Sequence, residues 1–164
     1  MEHTAKYTAK QIAHWFIWRN KIAEDMEAGD PLSLLKLLKL MYYAEGSFLA
    51  TERGSLFSNP IIAWRHGPVI KSLWDLYADE PYSLPVSDDE KQQLSLICKE
   101  DQDLLEDVFQ TSGQLSAWKL RNMILQETPW IKATNNGEIM NCEIKREPEI
   151  KRELIKAYFK ENYI

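Results

Sequence analysis

Apolar residues recur at helical spacing through the first part of the chain. Between Thr8 and about Glu27 they fall on one stripe, which predicts an amphipathic helix. The stripe consists of Ile12, Trp15, Phe16, Ile22, Ala23 and Met26. Gly29 ends this helix, and Asp30 and Pro31 predict a cap followed by a proline in the first turn of the next helix.

The second predicted helix is apolar around most of its circumference. Its apolar residues follow from Leu34 onward, and residues 34–50 read LLKLLKLMYYAEGSFLA. A helix with so little polar surface needs neighbours on several sides, so we expect it at the centre of the fold. Lys36 and Lys39 interrupt the run, which is too short to span a bilayer. Arg53 and Gly54 mark its end.

Beyond this helix the pattern changes to shorter elements. Ile61–Trp64 is too short for a helix and predicts an extended segment. Pro68 is placed to open a third helix over Val69–Tyr77. Ser87 predicts the cap of a fourth helix. The apolar stripe of that fourth helix consists of Leu94, Ile97, Cys98, Leu104, Leu105, Val108 and Phe109.

Proline residues also bound the elements predicted near the carboxyl terminus. A fifth helix carries Leu115, Trp118, Leu120 and Ile124 on its apolar side. Pro129 is expected to end it, and Pro148 to open the last helix. Together these elements predict a mostly α fold, a single compact domain over residues 1–164. It has about six helices and one or two short strands.

Composition and charge narrow the function classes. The 164 residues are 45 % hydrophobic and 27 % charged, which is typical of a folded domain, and the net charge is −5. Residues 88–110 hold eight acids and two bases, so the negative excess is local. This balance disfavours general nucleic-acid binding. Cys98 and Cys142 lack the spacing of a disulfide scaffold, and we expect a cytoplasmic protein.

The histidines offer little chemistry. His3, His14 and His66 are scattered, without the spacing of a zinc site, and no glycine-rich phosphate loop is present. We therefore expect no metal and no cofactor, and His14 is expected on the polar side of the first helix. An enzyme hypothesis stays open, in which His66 works with Glu45 or Asp75 as a hydrolase.

The turn from Trp64 to Pro68 is the most distinctive local feature. Its glycine and proline have a structural interpretation as a corner, because glycine permits unusual backbone angles and proline favours a first helical turn. A functional interpretation is that Arg65 and His66, beside free amide groups, receive an acidic group from a partner. The candidate partner-binding residues are Trp64, Arg65, His66, Gly67, Pro68 and Trp74.

The other aromatic residues and Cys98 are expected in the core. Trp residues are more often core than interface anchors, and this expectation applies to Trp64, Trp74, Trp118 and Trp130 alike. Tyr42 and Tyr43 are expected to pack in the core with their hydroxyls reaching a partner group at its edge. Cys98 is expected to be a buried, inert thiol.

Three segments together resemble the Panacea domain, the domain of SocA-like antitoxins and some phage-associated proteins. They are LLKLLKLMYYAEGSFLA at 34–50, SLFSNPIIAWRHGPVIKSLW at 55–74 and LSAWKLRNMILQETPW at 115–130. A final helical segment ending in AYF, at 157–159, is similar in kind. The resemblance covers nearly the whole chain. Many members carry a histidine where this chain has Leu125, and no catalytic residue is carried over.

The resemblance implies a compact helical antitoxin that neutralises a toxin protein encoded nearby. It implies either direct binding or action as a proteolytic adaptor that delivers the toxin to an ATP-dependent protease. A DNA-binding regulator of its own operon is a further alternative. The acidic balance and the absence of a basic recognition helix in the sequence disfavour it.

Overall fold

The computed structural model describes residues 5–27, 29–85, 92–141 and 147–163. Within these ranges the fold is mostly α, as predicted, with seven α-helices and one two-stranded sheet. The helices are α1 (Ala9–Asp25), α2 (Leu34–Ala50), α3 (Lys71–Tyr77), α4 (Lys99–Thr111), α5 (Ala117–Ile124), α6 (Thr128–Ala133) and α7 (Arg152–Asn162). The strands are β1 (Ile62–Trp64) and β2 (Gly67–Val69), and short 3-10 turns lie at Leu94–Leu96, Ser112–Gln114 and Glu138–Asn141.

Helix α2 is the centre of the fold. It packs against α1, α4, α5 and α7, and against β2. Its side chains are buried on nearly every side, including Lys39 and Glu45. The prediction of a central helix is thus confirmed, and the same neighbours explain how two charged side chains come to be buried in it.

The most extensive contact of α2 is with α7. The ring of Phe159 lies over Gly46, where an added Cβ would come within 2.4 Å of a ring carbon. The rings of Tyr42 and Tyr43 stand edge-on to the same phenylalanine, with centroids 5.6 and 5.7 Å away. Gly46 is therefore the notch that lets the aromatic residues of the two helices interlock.

Capping hydrogen bonds explain where the two long amino-terminal helices begin. Thr8 caps α1, and its side chain and that of Gln11 form a capping box, as the start predicted at Thr8 requires. The prediction for α2 was wrong in detail. Its cap is Ser33, whose hydroxyl accepts the N–H of Lys36 at 3.2 Å, and not the residue before Pro31.

Three prolines have roles different from those predicted. Pro68 lies in β2 opposite Ala63, and α3 begins only at Lys71. Pro129 does not end α5, which stops at Ile124, but occupies the first turn of α6. Pro148 uses its carbonyl to accept the N–H of Ala63 at 2.8 Å. Proline fits several positions that lack a backbone donor, so the residue type alone did not choose among them.

The predicted fourth helix is interrupted, and Ser87, its predicted cap, lies outside the described residues. The chain is extended at Ile97 and Cys98, and Cys98 is the N-cap of α4. Cys98 is exposed, not buried, and its Sγ lies 3.1 Å from an oxygen of Asp101. His14 is the opposite case, because it is buried in α1 and not on a polar side.

Candidate functional site

The turn singled out in the sequence is the tip of a β-hairpin, which we call the corner hairpin (residues 62–69). Trp64 pairs with Gly67, so that Arg65 and His66 form the two-residue turn and are exposed. Gly67 has a φ of 115°, a left-handed conformation that favours glycine. Gly67 and Pro68 are buried, so their part is to shape the turn and not to offer surface.

The base of the corner hairpin is fixed by backbone pairing with the chain that leads into α7. Ile150 donates its N–H to the carbonyl of Ile61 at 2.7 Å, while Ala63 donates to Pro148. A single bridge joins Ile62 to Glu149. The tip therefore projects from a base held on both sides.

The tryptophans of the corner hairpin and α3 form a half-buried pair. The rings of Trp64 and Trp74 meet edge-on with centroids 5.0 Å apart, and Lys71 Nζ lies 5.3 Å from the centre of the Trp64 ring. The indole N–H of Trp130 donates to the carbonyl of Trp64 at 3.0 Å. Trp130 is buried, as predicted, whereas Trp64 and Trp74 keep part of their surface in solvent.

The tip meets helix α5 through two residues that the sequence analysis did not assign to the site. Arg121 Nε donates to His66 Nδ1 at 3.1 Å. Trp118, predicted to be core, is 55 % exposed, with its ring centroid 5.7 Å from that of His66. Arg121 lies over the Trp118 ring at 4.4 Å. Trp118 and Arg121 are three residues apart on one helix, and this spacing could have predicted that their side chains are neighbours.

A buried lysine lies beneath the tip. Lys39 of α2 is 1 % exposed, and its Nζ donates to the carbonyl of Leu35 at 3.3 Å. A Cβ added at Gly67 would lie 3.4 Å from that Nζ. We call the surface formed by Arg65, His66, Trp118 and Arg121, with Lys39 beneath it, the cationic face.

Electrostatics on the cationic face are one-sided. Burial lowers the pKa of Lys39 to about 7, and the charge of Arg121 adds to the effect. Burial also lowers the pKa of His66, as do the neighbouring charges of Arg121, Lys39 and Arg65. The charged groups that shift these two pKa values are all cations, and both shifts favour the neutral forms of Lys39 and His66, so the positive charge of the face at neutral pH comes mainly from Arg65 and Arg121.

The acids named in the hydrolase hypothesis do not meet His66. Glu45 is fully buried, and its oxygens accept hydrogen bonds from Arg152 at 3.0 Å and from the N–H of Leu56 at 2.8 Å. Asp75 is exposed on α3. Among the described residues, no hydrogen bond or ion pair joins His66 to either acid. The geometry gives no support to an acid–histidine pair.

A second buried acid forms a separate polar cluster. Glu127, the residue before α6, is 3 % exposed and accepts hydrogen bonds from the hydroxyls of Tyr42, Tyr43 and Tyr163. The oxygen–oxygen distances are 3.3, 2.9 and 2.9 Å respectively. Burial raises the pKa of Glu127, and the three hydroxyls oppose that shift. Tyr42 and Tyr43 pack in the core, as predicted, and Glu127 is the group that their hydroxyls reach.

Groups of metal-ligating side chains and membrane-spanning helices are both absent from the described residues. In the described ranges, no three histidine, cysteine or acidic residues are grouped so that they could hold a metal ion. No helix formed by the described residues has the length and apolarity needed to cross a membrane.

Comparison with known proteins gives one match. The family model described as "Antitoxin SocA-like, Panacea domain" matches residues 37–131, more than half of the chain. The match runs from α2 to α6 and so contains the corner hairpin, Trp118, Arg121 and Glu127, but not α7 or its AYF segment. No curated protein and no solved structure matches the chain at a significant level. The chain therefore belongs to the family of SocA-like antitoxins with a Panacea domain.

Proposed function

We propose that this protein is a cytoplasmic antitoxin that neutralises a toxin protein encoded beside it, by direct binding through the cationic face. It carries out no reaction of its own, and the whole of residues 1–164 acts as one binding domain. Membership of the antitoxin family supports the role. The observation that carries the contact surface is the exposed Trp118, stacked on Arg121 and beside His66 at the tip of the corner hairpin.

The composition of the face supports its use in binding. Tryptophan and arginine are the residue types that most often contribute large binding energies when they are partly exposed. Arg65, His66 and Trp118 are exposed, while Trp64 and Trp74 keep part of their surface in solvent. Gly67 and Pro68 contribute by holding the shape of the tip. We therefore propose contacts from Arg65, His66, Trp64 and Trp74 as well, with Gly67 and Pro68 as their support.

Co-expression with the neighbouring gene tests this function. We expect that gene to arrest growth alone and the full chain to restore growth. Trp118→Ala should weaken binding of the purified toxin at least 30-fold, which corresponds to about 2 kcal/mol. Leu96→Ala is the matched control, because Leu96 is an apolar residue that is 67 % exposed outside the face. Failure of the wild-type chain to rescue any adjacent gene would contradict the proposal.

The same strains distinguish direct masking from the action of a proteolytic adaptor. Under masking, the toxin half-life is unchanged when the antitoxin is present, and the two proteins elute together. Under adaptor action, the toxin half-life shortens, and deletion of an ATP-dependent protease restores toxicity despite the antitoxin. We expect the first result, because the described features point to a binding surface.

A further inference from the structure

Several cations of the described surface are paired with acids of the same chain. On α7, Lys160 and Lys156 lie 2.6 and 3.6 Å from an oxygen of Glu52. Arg19 of α1 binds Glu106 with its Nε at 2.8 Å. These pairs neutralise positive charge on α7 and on α1 within the fold.

The cationic face differs at two of its cations, Lys39 and Arg121. Arg121 binds the imidazole of His66, and neither Arg121 nor Lys39 forms an ion pair with any of the described residues. Like charges held close together repel, and the cost is greatest for Lys39 because it is buried. An anion placed against the face would relieve this repulsion.

The guanidinium of Arg121 is oriented by its neighbours and keeps one nitrogen that can donate to a further acceptor. Its Nε is occupied by His66, and one terminal nitrogen donates to the side-chain oxygen of Asn122 at 2.9 Å. The other terminal nitrogen, Nη2, has no acceptor among the described residues. Stacking on Trp118 fixes the guanidinium plane, so little side-chain freedom is lost when an oxygen binds at that edge.

Resting on the function proposed above, we infer that the cationic face receives an acidic segment of the protein partner, with a side-chain carboxylate at Arg121 and an apolar neighbour on Trp118. Carboxylate oxygens match the geometry of guanidinium donors. The exposed Trp118 ring beside the charge fits a segment in which an acid adjoins an apolar residue. Polynucleotide is the less suitable occupant, because the acids of α4 and a net charge of −5 repel a long polyanion.

Charge reversal at Arg121 tests this inference with the full chain and the purified toxin. Arg121→Glu should weaken binding at least 30-fold by calorimetry, and Arg121→Gln should weaken it by a smaller factor. Lys99→Glu is the matched control: it changes the net charge equally at an exposed site on α4, and binding should change less than about 2-fold. An acid-to-lysine substitution in the toxin that restores binding to Arg121→Glu would identify the carboxylate.

A peptide titration tests the same chemistry without the toxin. The indole N–H signal of Trp118 should shift on addition of hexaglutamate and not of hexaglutamine, and Arg121→Gln should abolish the shift. Equal shifts with both peptides, or a larger shift with an oligothymidylate of the same length, would overturn the inference.

The two proposals fail in different ways. If the toxin binds and Trp118→Ala weakens it, but Arg121→Glu binds as wild type, the carboxylate inference is wrong and the antitoxin function stands. If no adjacent toxin is rescued but hexaglutamate shifts Trp118 in an Arg121-dependent manner, the acid-binding face stands and the proposed antitoxin function is wrong.

Discussion

The two sides of helix α2 treat buried charge differently. On the side that faces α7, the buried acids have partners inside the fold. On the side that faces the corner hairpin, the buried charged residue is a lysine whose charged neighbours are cations. Glu45 binds Arg152, and Glu127 binds three tyrosine hydroxyls. Among the described residues, the ammonium of Lys39 has one hydrogen-bond acceptor, the carbonyl of Leu35. On the α7 side the buried charges are paired within the fold. On the corner-hairpin side the positive charge can attract an acidic group of a partner.

The largest expected effect comes from breaking the ion pair between Arg152 and Glu45 on the α7 side of α2. Arg152→Met leaves the carboxylate of Glu45 buried without its cation and should lower the free energy of unfolding by about 3–5 kcal/mol at pH 7. Burial already raises the pKa of Glu45. Loss of Arg152 raises it further, so the folded variant takes up a proton more readily and the loss should shrink as the pH falls toward 5.

Urea denaturation at pH 5 and pH 7 measures this effect. The double variant Glu45→Gln with Arg152→Met is the control, because it removes the buried charge while keeping an oxygen for the N–H of Leu56. We expect it to be more stable at pH 7 than Arg152→Met alone. A loss that is the same at both pH values would show that Glu45 is not the cause.

The second effect is steric and tests the contact between α2 and α7. Gly46→Ala places a Cβ 2.4 Å from a carbon of the Phe159 ring and should cost about 1–3 kcal/mol, although alanine is the better helix former. Gly29→Ala is the control, since its added Cβ meets Ala23 at an ordinary 3.5 Å. If denaturant unfolding shows Gly46→Ala to be as stable as Gly29→Ala, α7 does not pack as described.

The smallest expected effect has the opposite sign and lies on the cationic side. Lys39 has a pKa of about 7 when folded and an ordinary value of 10.5. Between these values the unfolded chain binds more protons, so wild-type stability should rise with pH from 7 to 9, by at most about 1.4 kcal/mol per pH unit. Lys39→Met should be more stable at pH 7 by about 1 kcal/mol and should lack this rise.

Denaturation curves at three pH values between 7 and 9 check the lysine prediction. Lys99→Met, at an exposed lysine, should keep the wild-type slope. An unchanged slope in Lys39→Met would mean that Lys39 is not the group responsible. In that case Lys39 would not contribute a buried positive charge to the cationic face.

Much of the helical fold was predictable because it depends on local spacing. The apolar stripe of α1, the all-round apolarity of α2 and the short run at β1 each carry their own signal. The interruption of the predicted fourth helix at Cys98 was not predicted, because apolar residues can keep helical spacing across a segment of extended backbone. The hydroxyl of Tyr7, which accepts the N–H of Cys98 at 3.1 Å, comes from 91 residues away and leaves no local trace.

The candidate site was predictable in part. The tip residues stood out because their combination is unusual, and in the structure the ring of Trp74 lies against that of Trp64. Arg121 was not predicted to be a site residue. Trp118 was predicted to lie in the core because it falls on an apolar stripe. Which side of a short helix meets solvent depends on the neighbours that cover it, and those neighbours come from distant parts of the chain.

By itself the sequence determined the mostly helical class, the central place of α2, the family and the unusual tip of the corner hairpin, because these depend on residue spacing and local motifs. Only the tertiary structure decided which charges have partners. Glu45 and Arg152 are 107 residues apart, and His66 and Arg121 are 55 apart. Electrostatic energy depends on distance in space and on burial, so the contrast between a paired interior and a cationic face arises only when the chain is folded.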